Sequence, residues 1–198
     1  MIFKSYLVES NLSLLKDKNI ILLYGENNGL KDDIKKSIIE KNKNKEIIRL
    51  TQDDILKNNS LLDNEIMNLS LFDDKKIILI DNITDKSFSL IEKNVSQNNC
   101  LICLFSGVLE RRSKLRNLFE KEKTLGLIPC YEDNEITLQN YIKNYLKNIK
   151  GLNQEIINFI INNSNKSRDK IKNELDKTAV YFMEKEINIS ELRQLLNL

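Results

Sequence analysis

An α/β domain built on a parallel sheet, followed by a small all-helical domain, is the fold class this sequence predicts. Three observations predict it. Short apolar runs that read as strands alternate with stretches of helical spacing through roughly the first two thirds of the chain. Most of these runs are apolar at every position, as strands covered on both faces must be. Beyond residue 132 only helical spacing remains. Alternation of this kind implies parallel strands joined by right-handed helical crossovers.

Taken in order, Val8, Leu12 and Leu15 keep helical spacing and predict a short first helix. Ile20–Tyr24 is an apolar run closed by Gly25 and reads as a buried strand. Leu30, Ile34 and Ile38 recur every four residues and predict a helix over 29–41. The run 41–45, Lys-Asn-Lys-Asn-Lys, reads as a solvated turn. A second strand is expected over 46–50, and a helix through Leu62, Ile66 and Leu69. The segment 76–81 carries Ile77, Ile78, Leu79 and Ile80, the clearest buried strand of the chain. Phe88, Ile91 and Val95 predict a helix, 100–105 a fourth strand, Leu115, Leu118 and Phe119 a helix, and 127–131 a fifth strand.

The helical part begins with the stripe Leu138, Tyr141, Ile142, Tyr145 and Ile149, which Gly151 breaks. Ile156, Ile157, Ile160 and Ile161 predict a second helix. Ile171, Leu175, Thr178, Ala179 and Phe182 predict a third, and Leu192, Leu195 and Leu196 a short fourth. The expected domains are therefore 1–134 and 135–198, with the boundary near Asn134.

Composition narrows the function classes. The 198 residues are 41% hydrophobic, enough for two small cores. Thirty-one basic side chains nearly cancel 29 acidic ones, and a net charge of +2 excludes a strongly basic coating protein. No apolar run is long enough to span a membrane, and residues 1–10 lack the pattern of a signal peptide, so a cytoplasmic protein with no membrane partner is expected. Histidine is absent, which removes the commonest general base and the commonest metal ligand. Cys100 and Cys103 look like a metal-binding pair, but residues three apart on a strand point to opposite faces. These two and Cys130 are expected to be buried, inert thiols. No metal and no cofactor are expected.

The turn after the first strand, Gly25-Glu26-Asn27-Asn28-Gly29-Leu30-Lys31-Asp32, stands where a phosphate-binding loop would stand. That loop wants a Gly, four residues, then Gly-Lys-Ser/Thr. Lys31 holds the lysine position, but Leu30 replaces the second glycine and Asp32 the hydroxyl residue that meets Mg²⁺. A side chain at Leu30 is expected to obstruct phosphate, and the Asp32 carboxylate to repel it. The helix start still offers N–H groups for weak anion binding. The strand 77–81 ends in Asp81, as an ATPase metal-binding strand does, but Asn82 follows where a water-orienting Glu would be needed. Gly25, Gly29, Lys31 and Asp81 thus form a degenerate nucleotide site, expected to be inactive; an ordinary strand turn is the plainer reading of the same residues.

A decayed phosphate loop followed by a helical lid resembles clamp-loader subunits. The segment Leu69-Ser70-Leu71-Phe72-Asp73-Asp74-Lys75-Lys76, running into the strand 77–80, is similar to a pattern of the delta subunit of the bacterial DNA polymerase III clamp loader. Tyr24-Gly25-Glu26, the stretch Leu109-Glu110-Arg111-Arg112-Ser113-Lys114-Leu115 and Asn173-Glu174-Leu175-Asp176-Lys177 resemble further segments of that family in the same order. The resemblance covers essentially the whole chain. It implies an AAA+-like domain with a five-stranded parallel sheet, then a lid of helices. Family members continue into a helical collar domain that this chain is expected to lack.

The resemblance also implies a role. In the family, a Leu-Phe pair before the third strand plugs an apolar pocket on the sliding clamp; here these are Leu71 and Phe72, with Ser70 and Met67 beside them and Ile66 and Leu69 widening the contact. The implied protein is a non-catalytic subunit that opens the beta clamp for loading onto primed DNA, in a complex with gamma/tau and delta-prime subunits. On residues alone, Leu71 and Phe72 would equally serve to cover the end of the sheet. Arg111, Arg112, Lys114 and Arg116 form the densest basic cluster, suited to DNA phosphates or a neighbouring subunit, or simply a solvated helix start. Besides an orphan adaptor that keeps the fold and has lost the clamp, two alternatives stand beside this reading. One is a divergent ATPase that still binds nucleotide through Lys31 and Asp81. The other is a delta-prime-like ring member, against which the absence of zinc-ligand cysteines and of a Ser-Arg-Cys motif counts.

Overall fold

The computed structural model describes residues 1–68, 76–97 and 99–196. The chain divides into two compact units, Met1–Glu132 and Asp133–Leu198.

In the first unit α1 (Ser5–Ser10) and a 3₁₀ turn (Leu12–Leu15) precede β1 (Ile20–Tyr24) and α2 (Asn28–Lys41). Then come β2 (Ile47–Thr51), α3 (Gln52–Lys57), α4 (Leu61–Met67), β3 (Ile77–Asp81) and, after a 3₁₀ turn, α5 (Phe88–Lys93). The unit closes with β4 (Leu101–Phe105), α6 (Lys114–Lys121) and β5 (Gly126–Pro129). The five strands form one parallel sheet in the order β2-β3-β4-β1-β5. Ile2 adds a parallel bridge to Leu127 at the β5 edge.

Alternation along the strands builds two cores. Ile20, Leu22, Ile78, Ile80, Ile102, Leu104 and Leu127 face one side, against Ile55, Leu62, Ile66, Ile91, Leu115 and Phe119 from α3 to α6. Ile21, Leu23, Ile77, Leu79, Cys103 and Ile128 face the other, against Val8, Leu15, Leu30, Ile34 and Ile38. Each fully buried Ile or Leu contributes roughly 1.5–3 kcal/mol relative to exposure, so both faces need cover. Cys100 lies in the first core and Cys103 and Cys130 in the second. Burial pushes the Cys103 thiol up to about 12.

The boundaries differ from the periodicity in instructive ways. The first helix is two pieces, because Asn11 turns extended and caps the 3₁₀ turn through Ser13 N–H. α3 was not expected: the apolar pattern there is thin. Its start is a capping box, in which Thr51 accepts from the Asp54 N–H while the Asp54 carboxylate accepts from the Thr51 N–H.

The described residues of the second unit form four helices, α7 (Glu135–Tyr145), α8 (Gln154–Asn163), α9 (Arg168–Tyr181) and α10 (Ile189–Leu196). Leu138, Ile142, Ile156, Ile160, Ile171, Leu175, Phe182 and Leu192 form its core. Gly151, at φ +85°, ends the first stripe where a Cβ would lie 2.9 Å from the Ile187 backbone. Inside this unit the Arg168 guanidinium donates to both Asp133 carboxylate oxygens at 3.2 Å and lies over the Tyr141 ring at 4.0 Å.

Candidate functional site

In an open parallel sheet, ligands bind beyond the carboxyl ends of the strands, at the point where successive connections leave in opposite directions. That point here lies between β1 and β4. The chain leaves β1 toward α2 on one face and leaves β4 toward α6 on the other. The loops after the two strands meet, with the Gly25 N–H donating to Gly107 O at 3.0 Å. The turn that carries Gly25, Gly29 and Lys31 therefore stands at this switch point.

Its crevice is filled by the chain itself. The Lys31 ammonium is buried and donates to Gly25 O at 2.8 Å and Ser106 O at 2.7 Å, joining the two loops across the switch point. Burial holds its pKa below the ordinary lysine value, although Cys130, Asp32 and Glu26 pull the other way. Four loop N–H groups are also committed. Asn27 N–H donates to Cys130 O, Asn28 N–H to Glu26 O, Leu30 N–H to the Asn27 side chain and Lys31 N–H to Asn27 O. The helix start therefore has fewer donors to offer an anion than expected, because Asn27 caps α2 and takes the one at Leu30.

Gly25 sits at φ +128°. A Cβ there would lie 2.2 Å from Cys130 O, so the turn runs hard against the end of β5. Gly29 is buried in the first turn of α2. Leu30 does not project toward a phosphate, as the sequence suggested; only 4% of it is exposed, and it packs in the core beneath α2.

Asp81 ends β3 as expected, but its carboxylate is already engaged. The Lys35 ammonium, one turn along α2 from Lys31, lies 2.7 Å from both oxygens and 4.6 Å from the centre of the Phe105 ring. A cation built into the fold thus stands beside the carboxylate on which a Mg²⁺ ion would depend. Lys35 went unremarked in the sequence because nothing in α2 marks it as the partner of a residue 46 positions later. Asn82 takes a left-handed backbone at φ 60°, a conformation asparagine tolerates well.

The basic cluster separates into two kinds of residue. Arg111, Arg112 and Lys114 are exposed, with Arg112 paired to Glu110 at 2.8 Å. Arg116 is structural: it pairs with Glu120 at 2.8 Å, donates to Leu109 O and lies 5.3 Å from the Tyr24 ring. Ser70, Leu71 and Phe72, with Leu69, fall outside the described residues. Of their neighbours, Met67 closes α4 with 75% of its surface exposed, whereas Ile66 is buried in the sheet core rather than offered outward. At the foot of β3, Lys76 is buried and paired with Glu65 of α4 at 3.4 Å.

Comparison with protein-family models and with curated protein sequences gives no match. Solved structures do match. The chain is similar to the Bacillus subtilis DNA clamp loader delta protein, with a TM-score of 0.69 and 15% identity over 96% of this chain and 62% of that one. It is also similar to Thermotoga maritima RuvB, with a TM-score of 0.57 and 13% identity over 98% of this chain and 66% of that one. The chain therefore spans about 62% of the length of the clamp loader delta protein. These likenesses establish an AAA+-type fold, a parallel sheet flanked by helices with a small all-helical unit after it.

Proposed function

We propose that this chain acts as a delta-type clamp-loader subunit, a non-catalytic protein that binds a sliding clamp and favours its open form. The observation that carries the reading is the fold shared with the Bacillus subtilis clamp loader delta protein over 96% of the chain. The committed nucleotide crevice supports the non-catalytic part, because Lys31 is engaged by two backbone carbonyls and Lys35 occupies the Asp81 carboxylate. The segment Ser70-Leu71-Phe72 supplies the anchor: two large apolar side chains next to Asp73 and Asp74, a small hot spot with a polar rim. Met67 extends it from the end of α4.

Opening follows from differential binding. A subunit that fits the clamp better when a neighbouring interface is distorted shifts the closed ring toward the open one, and no bond is made or broken. Gamma/tau and delta-prime subunits complete the loader and supply ATP hydrolysis, and primed DNA is the destination. Arg111, Arg112 and Lys114 are the exposed cations available for phosphate contact.

Calorimetry of this protein against its own clamp tests the proposal. One-site binding is expected for the wild type, with a loss of about 2 kcal/mol or more in Leu71→Ala/Phe72→Ala, as for truncated anchor residues. Absence of a complex at micromolar concentrations would remove the clamp role.

A further inference from the structure

The opposite end of the same two central strands carries a second feature, independent of the clamp reading. Around the amino ends of β1 and β4 lies a cavity of about 340 Å³, open on one side to solvent. Its apolar lining comes from Leu12 and Leu15 of the 3₁₀ turn, Ile21 of β1, Ile38 of α2 and Leu101 of β4. Among the described residues its charged lining is lysine: Lys16, Lys18, Lys41 and Lys45, with no carboxylate.

Local structure accounts for only part of this set: Lys41 stands in the last turn of α2, where a cation complements the helix dipole, and Lys16 and Lys45 lie outside any helix end of that kind. Two of the last carbonyls of α2 are already served, since the Asn42 side chain donates to Ile38 O at 2.8 Å and its N–H to Ile39 O. Lys18 is held at the edge by a bond to Lys123 O. Lys16, Lys41 and Lys45 have no partner among the described residues. Three unpaired cations around an apolar hollow present a positive rim that an anion complements.

We propose that this cavity docks an acidic peptide segment of a partner protein, one that seats a large apolar side chain in the hollow and sets carboxylates against the lysines. The lining selects among possible occupants. Base stacking needs aromatic faces and base reading favours arginine forks, and the described lining has neither, so nucleic acid would be held through its phosphates alone, which the oligonucleotide arm of the test reads. A small-molecule site encloses most of its ligand's surface, whereas this hollow has one open side. A strip of peptide matches both the volume and the charge, with lysine as the point-charge partner of each carboxylate.

The test is fluorescence anisotropy with a labelled pool of heptapeptides alternating Asp or Glu with Leu, Ile or Phe. A pool carrying Asn and Gln at the acidic positions and a labelled single-stranded oligonucleotide run in parallel. Saturable micromolar binding of the acidic pool is expected, with no binding of the neutral one. Lys16→Glu/Lys41→Glu/Lys45→Glu should weaken it about 10-fold or more, as loss of a complementary charged surface does. These residues are exposed or half-exposed, and an unchanged circular dichroism spectrum and melting temperature check the fold. Ser13→Trp, which fills the hollow from an exposed position and leaves the charge alone, should weaken binding similarly. Charge reversal without effect, Ser13→Trp without effect, no binding of the acidic pool, or tighter binding of the oligonucleotide through the same lysines would each overturn the proposal.

Discussion

At Gly25 a single hydrogen atom decides whether the central crevice can form. The positive φ and the 2.2 Å approach of a hypothetical Cβ to Cys130 O act together, so Gly25→Ala must both strain the backbone and push β5 away. We expect a loss of about 2–4 kcal/mol, from a residue at an incompatible φ combined with overpacking. Gly107, across the same crevice, has nothing within 4 Å of its would-be Cβ, and Gly107→Ala should stay within about 0.5 kcal/mol of wild type. Urea denaturation of the two variants side by side checks the contrast. Lys31 and Asp81 were visible in the sequence because they stand at motif spacings. What each one touches was not: Lys35 reaches Asp81 only because α2 crosses the end of β3. Leu30 shows the same limit, since a helix start does not by itself say which residue turns inward.

Among the elements, α6 depends on a residue outside it. Asp85, in the turn after β3, accepts from the Ser113 hydroxyl and from the Lys114 and Leu115 N–H groups at 2.8–3.1 Å. Burial acts to raise its carboxyl, but these hydrogen bonds outweigh it and hold the pKa below the usual carboxylate range. Asp85→Ala should cost about 1 kcal/mol, the typical value of a lost cap, with solvent access keeping it from being larger. Because the folded pKa is the lower one, the contribution is complete above the ordinary carboxylate value of about 4 and fades as pH falls through the folded value. The stability gap between wild type and Asp85→Ala should therefore narrow below about pH 4, which denaturation midpoints at pH 7 and pH 3 would reveal. A gap that stays constant would mean the carboxylate is not what holds the helix start. Neither this cap nor α3 was read from the apolar pattern. α3 was within reach, because Thr51 and Asp54 spell its capping box, but the Asp85 cap joins residues 28 to 30 apart in sequence.

For the molecule as a whole, the committed crevice predicts how it responds to nucleotide. A ligand at 100 times its Kd adds about 2.7 kcal/mol to stability, which for a chain of this size moves Tm by roughly 5–10 °C. Millimolar ATP with Mg²⁺ should leave the melting temperature within about 1 °C, because binding would have to displace Lys31 from two carbonyls and Lys35 from Asp81. A Mg²⁺-dependent rise of several degrees would favour the divergent-ATPase reading over the proposed one. The measurement is independent of clamp binding, so the two can fail separately.

The sequence by itself determined which segments are strands and which are helices over most of the chain. It also determined that the strands lie between two helical layers, and that the three thiols are buried on separate faces or in separate strands. Those conclusions rest on burial, and burial is written into side-chain chemistry and its period of two or 3.6 residues. Tertiary structure alone decided the strand order β2-β3-β4-β1-β5, and with it the meeting of the loops after β1 and β4. It alone set Lys31 across that junction, Lys35 on Asp81 and four lysines around a hollow at the other end. These are pairings of polar groups far apart in the chain. A hydrophobic period records how deep a residue lies and carries no information about which distant partner its charge will meet.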